Sequence, residues 1–164
     1  MIIMKNLAII PARSGSKGLK DKNIKLFNGK PLMAYTIDET IKSNMFDKII
    51  VSTDSIKYAE IARSFGAEVP FMRSNEISQD QSSSWDVVKE VLSRLSEMNE
   101  NFDTVMLLQP TSPLRTSLDI FNAFKLMKTK RANSIVSVSE MEHSPLWSNT
   151  LPETLSMEHF ISDE

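Results

Sequence analysis

The stretch IIPARSGSKGLKDKN, residues Ile9–Asn23, joins an apolar run to a loop that is rich in glycine and lysine. The apolar run, Leu7–Pro11, predicts a short strand that is buried on both faces of a sheet. Two of the four glycines of the chain, Gly15 and Gly18, lie in the loop that follows. The same loop holds cationic side chains at Arg13, Lys17, Lys20 and Lys22. This unit predicts a sheet protein with a cationic site directly after its first strand.

The composition of this loop predicts a binding site for a polyanion. Glycines allow φ > 0 and bring bare N–H groups close to a ligand, and neighbouring cations add full charge. Triphosphate or pyrophosphate is therefore the natural guest. The alternative is a flexible surface turn with solvated lysines, because the loop matches neither the Walker A pattern nor the G-x-G-x-x-G dinucleotide pattern.

The size and charge of the chain exclude several classes of protein. Its 164 residues suffice for one domain, and its net charge of −2 argues against a general surface for nucleic acid or anionic membrane. With no cysteine and two histidines, the chain has no disulfide, thiolate metal site or histidine-rich metal centre. The start MIIMKNLAII is broken by Lys5 and Asn6, which predicts the approach to a strand and not a signal peptide. We expect a cytoplasmic protein with no nucleic-acid and no membrane partner.

Apolar runs alternate with helical patterns along most of the chain. Three further strands are predicted, at Lys48–Ser52, Thr104–Leu108 and Ser134–Ser139. Helical apolar spacing fills the gaps between them. This alternation favours the α/β class, with a doubly wound, mostly parallel sheet and right-handed crossovers. After Glu140 the pattern decays, and no clear element is predicted there.

Capping residues and apolar stripes mark the predicted helices. Pro31 suits the first position of one helix, and Asp54 or Ser55 caps the next, which Gly66 ends. The pair at Ser83–Asp86 resembles a capping box at the start of a third helix. The apolar stripe of the fourth predicted helix consists of Leu118, Phe121, Phe124 and Met127.

Polar residues that follow the predicted strands are the candidates for a functional site. In open parallel sheets, ligands bind beyond the carboxyl ends of the strands, where such loops gather. The loops concerned are residues 12–18, Ser52–Asp54 and Gln109–Arg115. Asp54 could hold a metal or cap the next helix, and Arg73, from composition alone, could be a surface charge.

Several other residues have a functional and a structural interpretation. Ser14, Ser16 and the run Ser82–Ser84 suggest a nucleophilic hydrolase, but the G-x-S-x-G elbow is absent and helix capping explains the run. His143 is a candidate base, although a lone histidine in a loop is more often a surface or packing residue. Tryptophans that could stack on a nucleobase, or simply be buried, are Trp85 and Trp147.

Three segments resemble the acylneuraminate cytidylyltransferases, also called CMP-sialic acid synthetases. They are IIPARSGSKGLKDKNIKLFNGKPLMAYTI, DKIIVSTDS and LLQPTSPLR, in this order, and the similarity runs from Leu7 to about Leu146. The resemblance implies a Rossmann-like nucleotidyltransferase fold, with residues 1–164 as a single domain. It also implies transfer of CMP from CTP to the anomeric hydroxyl of a nine-carbon 2-keto sugar acid, with Mg²⁺ as cofactor, pyrophosphate as second product and a homodimer as the assembly.

The resemblance also assigns residues, position by position. Arg13 and Lys22 would be catalytic, because they would hold the triphosphate and the charge that moves onto the leaving pyrophosphate. The nucleotide-binding set would be Pro11, Ala12, Arg13, Gly15, Ser16, Lys17, Gly18, Lys22, Asn23, Arg73 and Ser84. The sugar-binding set would be Gln109, Thr111 and Ser112.

The sequence departs from the family pattern at its C-terminal end. The family holds Mg²⁺ with acidic residues near an I-D-x-x-x-D-like segment, and no such segment occurs here, so we assign no metal ligand and leave Asp163 unassigned. We therefore expect the family domain to be C-terminally incomplete. The alternatives to the cytidylyltransferase are a non-catalytic nucleotide-binding fragment or paralogue and a nucleotidyltransferase for another sugar or base.

Overall fold

The computed structural model describes residues 4–16, 18–74, 76–78, 83–142 and 153–154. The strands are β1 (Asn6–Pro11), β2 (Leu26–Phe27), β3 (Lys30–Pro31), β4 (Lys48–Ser52) and β5 (Thr104–Leu107). The helices are α1 (Leu32–Ser43), α2 (Ile56–Ser64), α3 (Ser84–Glu97) and α4 (Ser117–Lys130), with a short 3₁₀ helix at Lys22–Ile24. Among these residues, no helix combines the length and the apolar character that crossing a membrane requires.

The main sheet is parallel, and β1 is its central strand. Its order is β4–β1–β5, and the register places Ile9 opposite Ile50 on one side and opposite Leu107 on the other. Strands β2 and β3 form a separate antiparallel hairpin. The predicted strands at the positions of β1, β4 and β5 are confirmed, although β5 ends one residue earlier than predicted.

Helices cover both faces of the sheet. Successive side chains of β1 point to opposite faces, and they are apolar on both. Ala8 and Ile10 pack into a cluster with residues of α1, α2 and α4, including Met33 and Ile37. On the other face, Leu7 and Ile9 pack against the apolar stripe of α3, which consists of Val87, Val88, Val91 and Leu95. The mostly parallel sheet with flanking helices confirms the predicted α/β class.

Local sequence signals set the helix ends. The capping box predicted at Ser83–Asp86 is present, since the Ser83 side chain accepts from the Asp86 N–H and the Asp86 carboxylate accepts from the Ser83 N–H. Thr116 and Asp119 form a second capping box at the start of α4, which the sequence analysis did not predict. Gly66 follows the end of α2 with φ +91°, as a C-terminal stop requires. Pro31 precedes the first helical residue of α1 by one position.

Two predictions about elements are wrong. Ser134–Ser139 is not a strand: no described residue pairs with it, and Val138 is 90% exposed. Alternating β-branched residues form a strand only when a neighbouring strand supplies hydrogen bonds, and no described strand does so here. In α4, the inward positions are Ile120, Phe124 and Met127, whereas the predicted stripe residues Leu118 and Phe121 are exposed. The spacing of the inward positions, i, i+4 and i+7, shows that the predicted face was rotated around the helix.

Some predictions fall outside the described residues. These are the assignments for Lys17, Ser82, His143, Trp147 and Asp163. The organisation of residues 1–164 as one domain also stays a prediction.

Candidate functional site

A pocket with a cavity volume of about 220 Å³ lies at the carboxyl ends of β1 and β5. Its walls come from the loop after β1, from the segment that leads into α3 and from the loop after β5. The loop after β4, Ser52–Asp54, was predicted to take part but does not belong to the lining. The lining residues are Pro11, Arg13, Ser16, Lys22, Asn23, Arg73, Ile77, Ser83, Ser84, Val87, Gln109, Pro110 and Thr111. The three segments thus meet in one concave site.

Hydrogen bonds fix the loop that follows β1, which we call the β1 loop (residues 12–21). Asp54, just after β4, accepts hydrogen bonds from Ser14 N at 2.8 Å and from Ser14 Oγ at 3.0 Å. The buried Asn23 donates from Nδ2 to the carbonyl oxygen of Arg13 at 3.1 Å. Asn23 and Asp54 therefore hold the carbonyl oxygen of Arg13 and the residue that follows it.

The far end of the β1 loop is anchored to α2. Asp21 accepts a hydrogen bond from the Tyr58 hydroxyl at 3.0 Å. Burial and the nearby Asp21 carboxylate raise the pKa of Tyr58, so its hydroxyl stays protonated and remains a donor at neutral pH. Asp21 adopts φ +56°, in the left-handed region, at the point where the chain turns into the 3₁₀ helix.

Among the described residues, three cationic side chains line the pocket, namely those of Arg13, Lys22 and Arg73. Arg13 donates from Nη1 to the carbonyl oxygen of Ser78 at 3.3 Å. The described lining contains no carboxylate. The local charge of the walls is therefore positive, in a chain whose net charge is −2, and an anion is the ligand that such walls favour.

Arg73 is a buried pocket residue and not the surface charge that composition alone allowed. It is 6% exposed, and its Nε and Nη2 donate to Ser52 Oγ at 3.0 Å and to Ser52 O at 2.6 Å. Its backbone N–H donates to the Thr53 carbonyl oxygen at 2.8 Å. Burial lowers the pKa of Arg73, while the carboxylates of Asp54 and Glu90 raise it, and the guanidinium remains charged.

Glu90 of α3 braces the segment that carries Arg73. Its Oε1 accepts from the Ser74 N–H at 2.9 Å. Its Oε2 is buried and has no hydrogen-bond partner among the described residues. One turn later, Arg94 donates to the carbonyl oxygen of Met72 at 3.1 Å. Helix α3 and the end of β4 thus both hold the Arg73 segment.

The third wall comes from the loop after β5. Gln109 and Thr111, both predicted to bind sugar, line the same pocket as the cations. Gln109 Nε2 lies 3.5 Å from Ser84 Oγ, and the Gln109 carbonyl oxygen accepts from Arg115 at 3.2 Å. Ser112, the remaining predicted sugar-binding residue, is exposed and is not part of the lining.

The predicted role of glycine conformation in the β1 loop is wrong. Gly15 and Gly18 do not have positive φ, and a Cβ added to either would meet nothing within 4 Å. Both are exposed and lie outside the lining, whereas Ala12 is fully buried in the core beneath it. The conformation of the described β1 loop is set by hydrogen bonds and by Asp21, so glycine is not required for a left-handed backbone at either position.

Other residues of the site have roles that the sequence did not indicate. Ser55 occupies the cap position of α2 without a capping side-chain bond, and Asp54 binds the β1 loop instead. Part of the pocket wall is apolar and was not predicted; it consists of Ile77, Val87 and Pro110. Val87 had a signal, since it stands one turn after the start of a helix whose first residues belong to the pocket; nothing in the local sequence marks the other two.

The described residues do not form a metal site. They contain no cluster of three or more His, Asp or Glu side chains that could hold an ion. Since the described lining also lacks carboxylates, which are the ligands that Mg²⁺ prefers in proteins, the pocket walls do not fit a protein-held Mg²⁺.

Known proteins are similar to this chain over most of its length. The model of the family "Cytidylyltransferase" matches residues 7–157. The chain is 42% identical to a CMP-N,N'-diacetyllegionaminic acid synthase of Legionella pneumophila, over 90% of this chain and 63% of that protein. It is 47% identical to an N-acylneuraminate cytidylyltransferase of Streptococcus agalactiae, over 98% of this chain and 37% of that protein. The chain therefore spans less than two thirds of the length of these relatives.

Solved structures share the fold. A CMP:2-keto-3-deoxy-manno-octonic acid synthetase complexed with CTP superposes with a TM-score of 0.66 at 24% identity, over 78% of this chain and 49% of that chain. This likeness supports the predicted Rossmann-like nucleotidyltransferase fold. Because the family model covers nearly all of the sequence, the chain belongs to the cytidylyltransferase family.

Proposed function

We propose that this chain carries the nucleotide pocket of an enzyme that transfers CMP from CTP to a sialic-acid-like nine-carbon 2-keto sugar acid. The observation that carries the proposal is the convergence of Arg13, Lys22 and Arg73 on one pocket whose described walls lack carboxylates. Three cations on a concave surface suit the four negative charges of a nucleoside triphosphate. The names of the relatives, which act on legionaminic and neuraminic acids, supply the class of sugar.

The geometry suggests a division of labour within the pocket. Arg13, in the β1 loop, and Lys22, just after it, would bind the phosphates. Arg73 and Ser84, on the opposite wall, would border the cytidine, and Gln109 with Thr111 would face the sugar acid at the end of β5. Such an arrangement holds the two substrates side by side, and positioning supplies much of the rate in phosphoryl-type transfer.

In the proposed reaction, the anomeric oxygen of the sugar attacks the α-phosphorus of CTP. The bond between the α-phosphorus and the bridging oxygen breaks, pyrophosphate leaves with that bonding pair, and the hydroxyl proton passes to solvent. Arg13 and Lys22 would stabilise the charge that accumulates on the leaving pyrophosphate. Mg²⁺, expected from the family, would be held by the phosphates of CTP, since the described lining offers it no carboxylate.

A non-catalytic nucleotide-binding module is the second candidate function. The observation that favours it is the lack of a metal cluster among the described residues. Such a module would bind CTP through the same three cations but would release no product. A nucleotidyltransferase for another sugar or base differs from both in its nucleotide preference. A homodimer and a cytoplasmic location stay predictions.

The decisive experiment combines turnover with ligand-dependent melting. The chain is incubated with CTP, Mg²⁺ and N-acetylneuraminate, legionaminate or pseudaminate, and pyrophosphate release is followed. Release with at least one sugar supports the enzyme, whereas CTP-dependent stabilisation without release supports the binding module. Melting with GTP, UTP or dTTP in place of CTP tests the base, and CTP is expected to give the largest shift.

Arg13→Ala tests whether the pocket is the nucleotide site. It should abolish the CTP-dependent shift, because Arg13 lines the pocket. Arg131→Ala is the matched control: this arginine is exposed, follows the last residue of α4 and lies outside the lining. Equal CTP shifts in the two variants would contradict the assignment.

A further inference from the structure

We propose that Asp54 is a positioning residue of the nucleotide pocket, which sets the place of Arg13 by clamping the β1 loop to the end of β4. This inference rests on the proposed function only in that CTP is the ligand used to measure it. Asp54 does not line the pocket, so it would act through Ser14 and not by contact with the nucleotide.

The clamp consists of two hydrogen bonds, one from the backbone N–H of Ser14 and one from its hydroxyl. Asp54 Oδ1 accepts from the Ser14 N–H at 2.8 Å, and Oδ2 accepts from the Ser14 hydroxyl at 3.0 Å. A bidentate contact to a backbone N–H and a side chain fixes both the position and the rotation of that residue. Since Ser14 is bonded to Arg13, the arginine backbone is fixed with it.

The end of β4 holds both arginines of the pocket. Ser52 accepts two hydrogen bonds from the Arg73 guanidinium, and Asp54 clamps the residue after Arg13. Arg13 lowers the pKa of Arg73 and Asp54 raises it, after the larger effect of burial, so the three charges interact across this junction. Asp54 therefore binds the residue after one arginine and favours the charged form of the other.

The other roles open to Asp54 are not realised in the described residues. Ser55 occupies the N-cap position of α2, so the carboxylate is not the helix cap. No metal cluster includes it. The hydrogen bonds from Ser14 to this carboxylate join positions 40 residues apart, and they link the end of β1 to the end of β4. A loop clamp is the role that these contacts support.

The test compares two substitutions that remove the same charge. Asp54→Asn keeps a carbonyl oxygen that can accept from the Ser14 N–H, and its amide nitrogen can donate to the Ser14 hydroxyl oxygen, whereas Asp54→Ala removes both partners. The difference between the two variants therefore reports the clamp without the electrostatic effect on anion binding. We expect Asp54→Ala to bind CTP about fivefold more weakly, or worse, than Asp54→Asn, as the loss of two ordinary hydrogen bonds implies. Without any ligand, backbone amides of residues 13–16 should also exchange hydrogen faster in Asp54→Ala than in Asp54→Asn.

Asp47 offers a matched control pair at the other end of the same strands. It accepts from the Asn6 N–H at 2.7 Å, and neither residue lines the pocket. Asp47→Ala and Asp47→Asn should bind CTP equally, even where their melting temperatures differ. A pocket-specific clamp predicts this contrast, and a general loss of stability does not.

Equal CTP affinity in Asp54→Ala and Asp54→Asn, with both folded, would overturn the proposal, as would equal exchange of residues 13–16. If Asp54→Ala does not fold, Ser14→Ala decides instead, because it removes one bond and keeps the carboxylate. It should weaken CTP binding by about twofold or more, and an unchanged affinity would overturn the proposal. If the unmodified chain binds no CTP, the proposed function fails, and the exchange measurement alone still decides whether Asp54 clamps the loop.

Discussion

Replacing Arg73 with methionine separates its contribution to the fold from its contribution to the pocket. Methionine keeps most of the apolar stem but removes the guanidinium. Arg73 is 6% exposed, and its guanidinium donates two hydrogen bonds to Ser52. Two hydrogen bonds from a charged donor contribute about 1.5–3 kcal/mol each, but burying an ion costs several kcal/mol. The Ser52 carbonyl oxygen keeps the hydrogen bond from the Ala12 N–H at 2.9 Å. These opposing effects largely cancel, so we expect the free energy of unfolding to fall by no more than about 2 kcal/mol.

The affinity for CTP should change more than the stability. If the guanidinium makes one charge-assisted contact to the nucleotide, its loss costs about 1.5–3 kcal/mol, or roughly a 10- to 150-fold rise in Kd. Isothermal titration gives the Kd, and denaturant unfolding of the same preparations gives the stability. Arg73→Lys, which keeps the charge but not the planar fork, should lie between the methionine variant and the unmodified chain.

Two results would refute this reasoning. A folded Arg73→Met variant whose Kd for CTP lies within about threefold of the unmodified value would show that Arg73 acts only in the fold. A loss of unfolding free energy above about 4 kcal/mol would show that burial of the guanidinium is not nearly balanced by its hydrogen bonds. The first result bears on the proposed site, and the second bears only on the energetic account.

Three further predictions concern the pocket, the core and the response to pH. Lys22→Met should weaken CTP binding by about tenfold and reduce its dependence on salt, because the pocket would offer the phosphates one cation fewer. Titrations at two salt concentrations check this: the variant should lose less affinity than the unmodified chain when salt is raised, and equal losses of affinity would contradict the prediction. Leu95→Ala should lower the unfolding free energy by about 2–5 kcal/mol, since Leu95 is fully buried in the cluster under β1, and a loss below about 1 kcal/mol in denaturant unfolding would contradict that. Hydrogen bonds from Lys42 and from the Ser117 N–H lower the pKa of Glu39, so the unfolded chain binds the proton more readily and stability falls as the pH drops below about 4.3. Glu39→Gln should make this fall shallower in unfolding curves between about pH 3 and pH 6, and an unaltered pH slope would be the contrary result.

The parts of the fold that follow from local chemistry could be predicted from the sequence. Strands β1 and β4 have continuous apolar runs because helices cover both faces of the sheet, and this leaves a clear pattern. The capping box at Ser83–Asp86 depends on residues three positions apart and is likewise visible in the sequence. The convergence of the loops after β1 and β5 on one pocket could be predicted from the parallel order of the strands, whereas the loop after β4 does not line it. The resemblance supplied Arg73 and Ser84.

What could not be predicted depends on contacts between distant segments. Asp54 precedes a helix and so suggests a cap, but its partner Ser14 lies on another strand end, which no local pattern shows. The inward face of α4 includes Phe124 because its ring packs against that of Phe46, with ring centroids 5.5 Å apart. For Ser134–Ser139, β propensity was present, but no described strand pairs with it. Gly15 suggested a left-handed backbone, yet a local sequence does not reveal whether a turn uses that freedom.

The pocket forms only when β1 and β4 pair in the observed register, in which Pro11 lies opposite Ser52. A slip of one residue would move Arg13 by about 3.3 Å along the strand relative to Arg73. It would also exchange the β1 side chains that pack on the two faces of the sheet. A ligand that needs both arginines at once therefore recognises the correctly aligned chain alone. Any such small molecule should raise the yield of refolding and protect cells' pools of the protein from proteolysis, in the manner of a chemical chaperone.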